Sequence, residues 1–555
     1  VKSGKSSATI LGFPLFLVHF SLLTSPFSLL SQHAIHSLPS IPQQLLERPV
    51  TIRTGIGAVH DDAAAKSTEA QRFYDQGLAY LHNYVWIEAA RSFHQALRLD
   101  AQLPLAHVGL SYAYIELNKV AQSREAIATA RTLAAKAGES SAEARSAKVD
   151  HIKRHVDARA MQMAAEDAPG DPSKLAAYRK ALDGAIAAFP NDAEFLLLRG
   201  IAESPDPADR GQGSVAASIP FYQRALKAAN HWAAHHYLAH AYENSGRLKE
   251  AESHASAYAA QASSIPHAIH MHGHELRRLG RTSDAIARFE AADKLQRDYL
   301  AREKIAAEFD WHQAHNLDLL AASYQYIGQM KKAEALFKQN FNTPTNLLVQ
   351  AVNKREWPAF LTARGRSGEA LTAAQTLLSH PNPVVQAAGH IEAGFAQLAM
   401  NRPADGANSS NAALRALRAA PAGQGLASIA LEALQGEFML RTAQRDKGRQ
   451  VMERAAQKWR SLPGPDAWTQ SLFRLEALAR AARNVGDWTL AARMAQLMLE
   501  HDPNYAGTHL ALGLVSHHES GTSATTLREF ALAEKAWAGA DKDLPELKAI
   551  AELRR

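Results

Sequence analysis

Residues 70–100, AQRFYDQGLAYLHNYVWIEAARSFHQALRLD, decide the fold. Gly77, Tyr80, Ala89, Phe93 and Ala96 stand at the eighth, eleventh, twentieth, twenty-fourth and twenty-seventh places of this stretch. Small and large residues in that order describe a helix-turn-helix unit of about 34 residues. The small residues let two helices approach, and the aromatics fill the space between this pair and the next. A second unit follows at Pro104, with Leu110, Ser111 and Tyr114 in matching places. The clearest pair begins at Trp232 and Pro266, with Tyr242, Gly246 and Ala251 in the first and Gly273, Gly280, Ala285, Phe289 and Ala292 in the second. Another starts near Ala314, weaker ones near Ala351, Ala387 and Leu426, and better ones near Leu472 and Ala506.

The expected fold class is therefore all-α: a right-handed α-solenoid of roughly a dozen helical hairpins, each burying its apolar face on its neighbours. Four segments are expected: an export signal or anchor at 1–35, a linker at 36–69, an N-terminal array at 70–345, and a degenerate array with a capping helix at 346–555.

Composition agrees with repetition. The chain has 555 residues, more than one core usually serves, and aromatics are only 7%. Its 61 basic and 55 acidic residues are dispersed, without the basic stripe of a nucleic-acid binder, so no nucleic acid is expected. There is no cysteine, which excludes disulfides, thiolate ligands, cysteine nucleophiles and covalent c-type haem. Lys2 and Lys5 precede an apolar run over 8–30, the order of an export signal. A cleaved signal and an uncleaved membrane anchor both put the repeats outside the cytoplasm, periplasmic or secreted.

These units resemble the tetratricopeptide-repeat superfamily over most of residues 70–555. AHHYLAHAYE (234–243), HAIHMHGHE (267–275) and HN (315–316) further resemble a class of exported bacterial repeat proteins with a His-rich segment. His272 and His312 are departures from that pattern. The superfamily's usual work, binding a protein or peptide in the concave groove, is what the resemblance implies about function.

It also implies which positions of each first helix face the groove. In three successive units these include His236, His240, Glu243 and Asn244; His267, His270, His274, Arg277 and Arg278; and His315, Asp318, Gln325 and Tyr326. Histidines four apart on a helix point the same way, so His236 with His240, and His270 with His274, can each chelate an ion. His315 completes the expected ligands, with His267, Glu243 and Asp318 in reserve. Imidazole and carboxylate suit Zn²⁺, Cu²⁺, Ni²⁺ or Fe²⁺. Tyr74, Leu78 and Tyr112 would make the groove more apolar in the first units, as a site for an extended peptide, with core packing an equal reading for each aromatic.

Two readings follow: an exported scaffold holding a protein or peptide, and a metal-binding protein on the same scaffold. Catalysis is not the expectation. His274–Glu275 is followed by LRRL, so the HExxH zinc-protease motif lacks its second histidine, and no GxSxG elbow occurs. His151 with His155, and His517 with His518, read as surface residues.

Overall fold

The computed structural model describes residues 40–139, 147–168, 170–203, 216–229, 231–345, 347–420, 425–462 and 465–555. The apolar run at 8–30 lies outside the described residues. Among those described, every regular element is helical, and no helix is long and apolar enough to cross a membrane.

A short α1 (Gln43–Leu46) precedes seven hairpins. These are α2 (Thr68–His82) with α3 (Trp86–Leu99), α4 (Pro104–Glu116) with α5 (Val120–Glu139), α6 (Ala147–Glu166) with α7 (Pro172–Ala188), and α8 (Ala193–Ile201) with α9 (Ile219–Ala229). Then come α10 (Ala233–Asn244) with α11 (Leu248–Gln261), α12 (Pro266–Arg278) with α13 (Thr282–Glu303), and α14 (Trp311–Tyr326) with α15 (Met330–Asn342). Five further hairpins run from Glu356 to Ala536, and a last helix, Pro545–Leu553, buries Ile550 as a cap.

The small and large spacing is a packing rule. A Cβ on Gly77 or Gly109 would stand 2.4 or 2.3 Å from the Phe93 ring, so that one ring occupies the contact between two first helices. Phe289 fills the same place at Gly273, and Phe530 at Gly513.

Successive turns of the solenoid touch. The Arg91 guanidinium meets Glu303 at 2.9 Å, 212 residues along the chain, and Lys331 meets Asp543 at 3.0 Å, again 212 residues along. The Trp311 indole donates to the Tyr84 carbonyl across 227 residues. The inner face of one turn is thus largely an interior, not an open trough.

Residues 40–66, expected as a linker, carry only the short α1 and are docked as a strap. Asn83 donates to the Ile56 carbonyl at 2.7 Å, Ser264 to the Gly55 carbonyl at 2.8 Å, and Arg91 to the Pro49 carbonyl at 2.9 Å. Gly57, at φ +84°, is pressed so closely on the Trp232 ring that a Cβ would overlap it.

Glu303 joins the strap to both turns, pairing with Arg53 at 2.8 Å as well as with buried Arg91. Removing one member of a buried pair costs about 3–5 kcal/mol. Arg91 would keep Glu88, so Glu303→Ala is expected near the lower end, about 3 kcal/mol, with faster tryptic cleavage at Arg53. Unchanged unfolding and cleavage would contradict this closure.

Candidate metal centre

The first helices α10, α12 and α14 follow one another along the inner face and carry nine histidines between them. Pro266 at the first turn of α12 sets its start, so His267, His270 and His274 fall on adjoining turns of one side.

The first triad is His236, His240 and His267. The Nδ1 of His236 lies 2.7 Å from the His82 carbonyl, one of the acceptors left free at the end of α2. A carbonyl can only accept, so Nδ1 carries the ring proton and Nε2 presents a lone pair. That Nε2 stands 3.1 Å from His240 Nε2 and 3.2 Å from His267 Nε2. Nitrogens about 2.1 Å from a tetrahedral ion would be about 3.4 Å apart. Hydrogen bonding alone would require both neighbours to aim an N–H at one lone pair.

His270, His274 and His315 form the second triad. Asn316 donates its amide to the Phe289 carbonyl at 3.0 Å, which turns its oxygen toward His270 Nδ1 at 2.7 Å. His270 is thereby protonated on Nδ1, and its Nε2 faces His274 Nε2 at 2.6 Å. Such outer hydrogen bonds are what orient the imidazoles of metal sites.

His312 lies between the triads, its ring centre 5.4 Å from that of His267 and 4.9 Å from that of His270. His272 points elsewhere, to Glu252 at 3.2 Å. Both departures from the His-rich pattern therefore leave the triads intact. His315 is half-buried, while the other five triad rings are buried.

Burial first, and then neighbouring imidazoles, holds His236, His267, His270, His274 and His312 well below the usual 6.5 and brings His240 down to about 4. Neutral imidazole is the ligating form.

The expected reserve carboxylates belong to neither triad. Glu243 is taken by Arg278 at 3.2 Å, and Asp318 accepts from Asn340 at 2.6 Å, because each buried carboxylate is captured by the nearest donor. Nor is the groove open at Arg277, Arg278 and Tyr326. The Arg277 guanidinium lies 3.6 Å from the Tyr326 ring centre and 3.6 Å from Asp502, Arg278 lies over Trp468, and Tyr505 stacks on Tyr326. The next turn of the same chain covers this wall. Gln325 is buried, and Asn244 donates to the His240 carbonyl. Tyr74, Leu78 and Tyr112 do come together, around a cavity of about 100 Å³ shared with Leu105, Val108 and Tyr237.

His151 and His155 are not surface residues: they are 8% and 7% exposed, packed on Phe195. Asp61 of the strap and Asp192 at the start of α8 join them, and Asp61 is pushed up to about 7 by burial, then by Asp192 and Glu194. Nearby, Glu194 accepts from His82 at 3.1 Å and from His231 at 3.0 Å. The spacing of His151 and His155 was a usable signal, but their acidic partners lie some 40 or 90 residues away in sequence. His518 is exposed as expected, stacked on Trp488, and His517 is half-buried.

No family profile and no curated protein matches this chain. Solved structures similar to it include yeast Tom70, 12% identical, covering 77% of this chain and 92% of that one with a TM-score of 0.37. Human IFIT1, as a dimer with PPP-AAAA, is 13% identical over 88% and 97% of the two chains, with a TM-score of 0.36. Cut9, from the APC/C hetero-tetramer Cut9–Hcn1, is 10% identical over 88% and 97%, with a TM-score of 0.31. The superpositions are loose, and the solenoid stands on its own helix pairing.

Because the folded-state values of these histidines lie below 6.5, the unfolded chain binds more protons between pH 6.5 and about 4, and these rings cost stability as pH falls through that window. In the metal-free protein, the imidazole ¹⁵N resonances of His236, His240, His267, His270 and His274 are expected to stay neutral at pH 5.5. Titration of these rings near 6.5 would show that they are solvated, not packed.

Proposed function

We propose that this chain is a helical-repeat metalloprotein whose two all-histidine triads each hold a transition-metal ion. The carrying observation is the pair of imposed tautomers: the His82 carbonyl aims the Nε2 lone pair of His236 at His240 and His267, and the Asn316 oxygen aims that of His270 at His274, with a ligand nitrogen of His315 within 4.8 Å. Neutral nitrogen donors select Zn²⁺, Cu²⁺, Ni²⁺ or Fe²⁺ over Mg²⁺ and Ca²⁺. Three protein ligands leave a position for water or another ligand, and the half-buried edge of His315 gives the second triad a side toward solvent.

The basic-then-apolar order at the N-terminus supports an exported protein, so the metal would be held outside the cytoplasm. A peptide laid along the groove is supported less, since Trp468, Asp502 and Tyr505 cover the wall at Arg277 and Tyr326. A non-catalytic holding role is the reading we adopt. A bound ion would make a nearby ligand more acidic or electrophilic, and the two reserve carboxylates, Glu243 and Asp318, are turned to other partners.

Metal analysis of the chain prepared without a polyhistidine tag tests this. After reconstitution with Zn²⁺, the wild type should retain an ion that His270→Ala/His274→Ala loses, while His236→Ala/His240→Ala loses the other. Equal metal in all three proteins would end the proposal. Asn316→Ala, which touches no ion, should weaken the second triad by about 10–100-fold. An unaltered affinity would mean that the Asn316 contact is incidental.

A further inference from the structure

We propose a second kind of metal centre, distinct in composition from the triads, formed by Asp61, His151, His155 and Asp192. The residues come from three separate parts of the chain: the strap, adjoining turns of α6, and the first residue before α8. Their ligand atoms all lie within 4.8 Å of one another.

The hydrogen bonds show why a cation belongs there. The Nε2 of His151 faces Asp192 Oδ2 at 2.6 Å, Asp61 Oδ1 at 3.5 Å and His155 Nε2 at 3.2 Å. One ring nitrogen carries at most one hydrogen, so it cannot donate to all three. The outer oxygens of both carboxylates are already held: Tyr74 donates to Asp61 Oδ2 at 2.8 Å, and the Phe195 amide donates to Asp192 Oδ1 at 2.9 Å. Those bonds turn the two inner oxygens inward, as outer donors do around ligating carboxylates. A divalent ion would accept all four lone pairs at once and offset the two carboxylate charges.

The adjoining cluster behaves differently. There Glu194 can accept from both His82 and His231, and His82 Nδ1 can accept from the Tyr237 hydroxyl at 2.9 Å. Donors and acceptors balance, so it serves as a hydrogen-bonded brace.

A cavity of about 410 Å³ gives the proposed centre an entry route. It is lined by Asp61, His151 and Asp192 and reaches outward past exposed Lys148 and His60. Two carboxylates with two imidazoles suit Mn²⁺ as well as Fe²⁺ and Zn²⁺, whereas all-imidazole triads favour Zn²⁺, Cu²⁺, Ni²⁺ and Fe²⁺ over Mn²⁺. Since Asp61 arrives on the strap, an ion here would also pin the strap to the fourth hairpin.

Mn²⁺ is therefore the probe that separates this centre from the triads. Electron paramagnetic resonance of Mn²⁺ titrated into the full chain should show one bound ion, weakened at least tenfold by Asp192→Asn and by His155→Gln but unaffected by His270→Ala/His274→Ala. Asn at 192 can still cap α8, so the first variant removes a ligand without removing the helix start. Circular dichroism melting confirms that each variant is folded. If the wild type binds no Mn²⁺, if folded Asp192→Asn binds it as well as wild type, or if only the triad variant loses it, the proposal is overturned.

Discussion

A histidine whose Nδ1 proton is committed to a fixed acceptor has nothing left to donate from Nε2, and the interior of this solenoid depends on that constraint twice. His82 supplies the acceptor as a helix-end carbonyl, and Asn316 supplies it as an amide oxygen held in orientation by Phe289. In each case the liberated lone pair points at further imidazoles in a buried setting. A neighbouring N–H can meet one such lone pair, whereas an ion at the common point would engage all three nitrogens at once.

Tight winding explains why the chain uses imidazole there. With Arg91 reaching Glu303 and Trp311 reaching Tyr84, the inner helices are packed across the solenoid as well as along it. An inner residue must then fill space like an aromatic while retaining a polar atom. His236 does both, stacking on Tyr258 at 4.6 Å between ring centres while its two nitrogens face a carbonyl and the other triad rings. His270 packs tilted against Phe289, 5.1 Å between ring centres, while its nitrogens face the Asn316 oxygen and His274. Fold and site share their residues, so the histidines lock the turns together whether or not an ion is present.

What could be read from the sequence was whatever repeats at short range. Gly77 with Phe93, and Gly273 with Phe289, mark hairpin packing that recurs within one unit, so the helical solenoid was legible. The convergence of His236, His240, His267, His270, His274 and His315 was legible for the same reason, since helical period and repeat register set their faces. Capture by neighbours was not: register says that Glu243 and Asp318 face inward, but Arg278 and Asn340 decide what they bind. Contacts across a whole turn were also hidden. Nothing local in Tyr326 announces Tyr505, and nothing in residues 40–66 announces that Asp61 will meet His151. Basic neighbours made HIKRH look solvated, although Lys153 and Arg154 occupy the outer side of the same helix.

X-ray absorption spectroscopy of the Zn²⁺-loaded protein tests the central claim most directly, because it reports the atoms around the ion without any substitution. The account predicts an average first shell of two to three imidazole nitrogens per ion at about 2.0–2.1 Å, with the outer scattering of imidazole rings, completed by oxygen ligands. A shell of oxygen alone, or one without imidazole scattering, would contradict it.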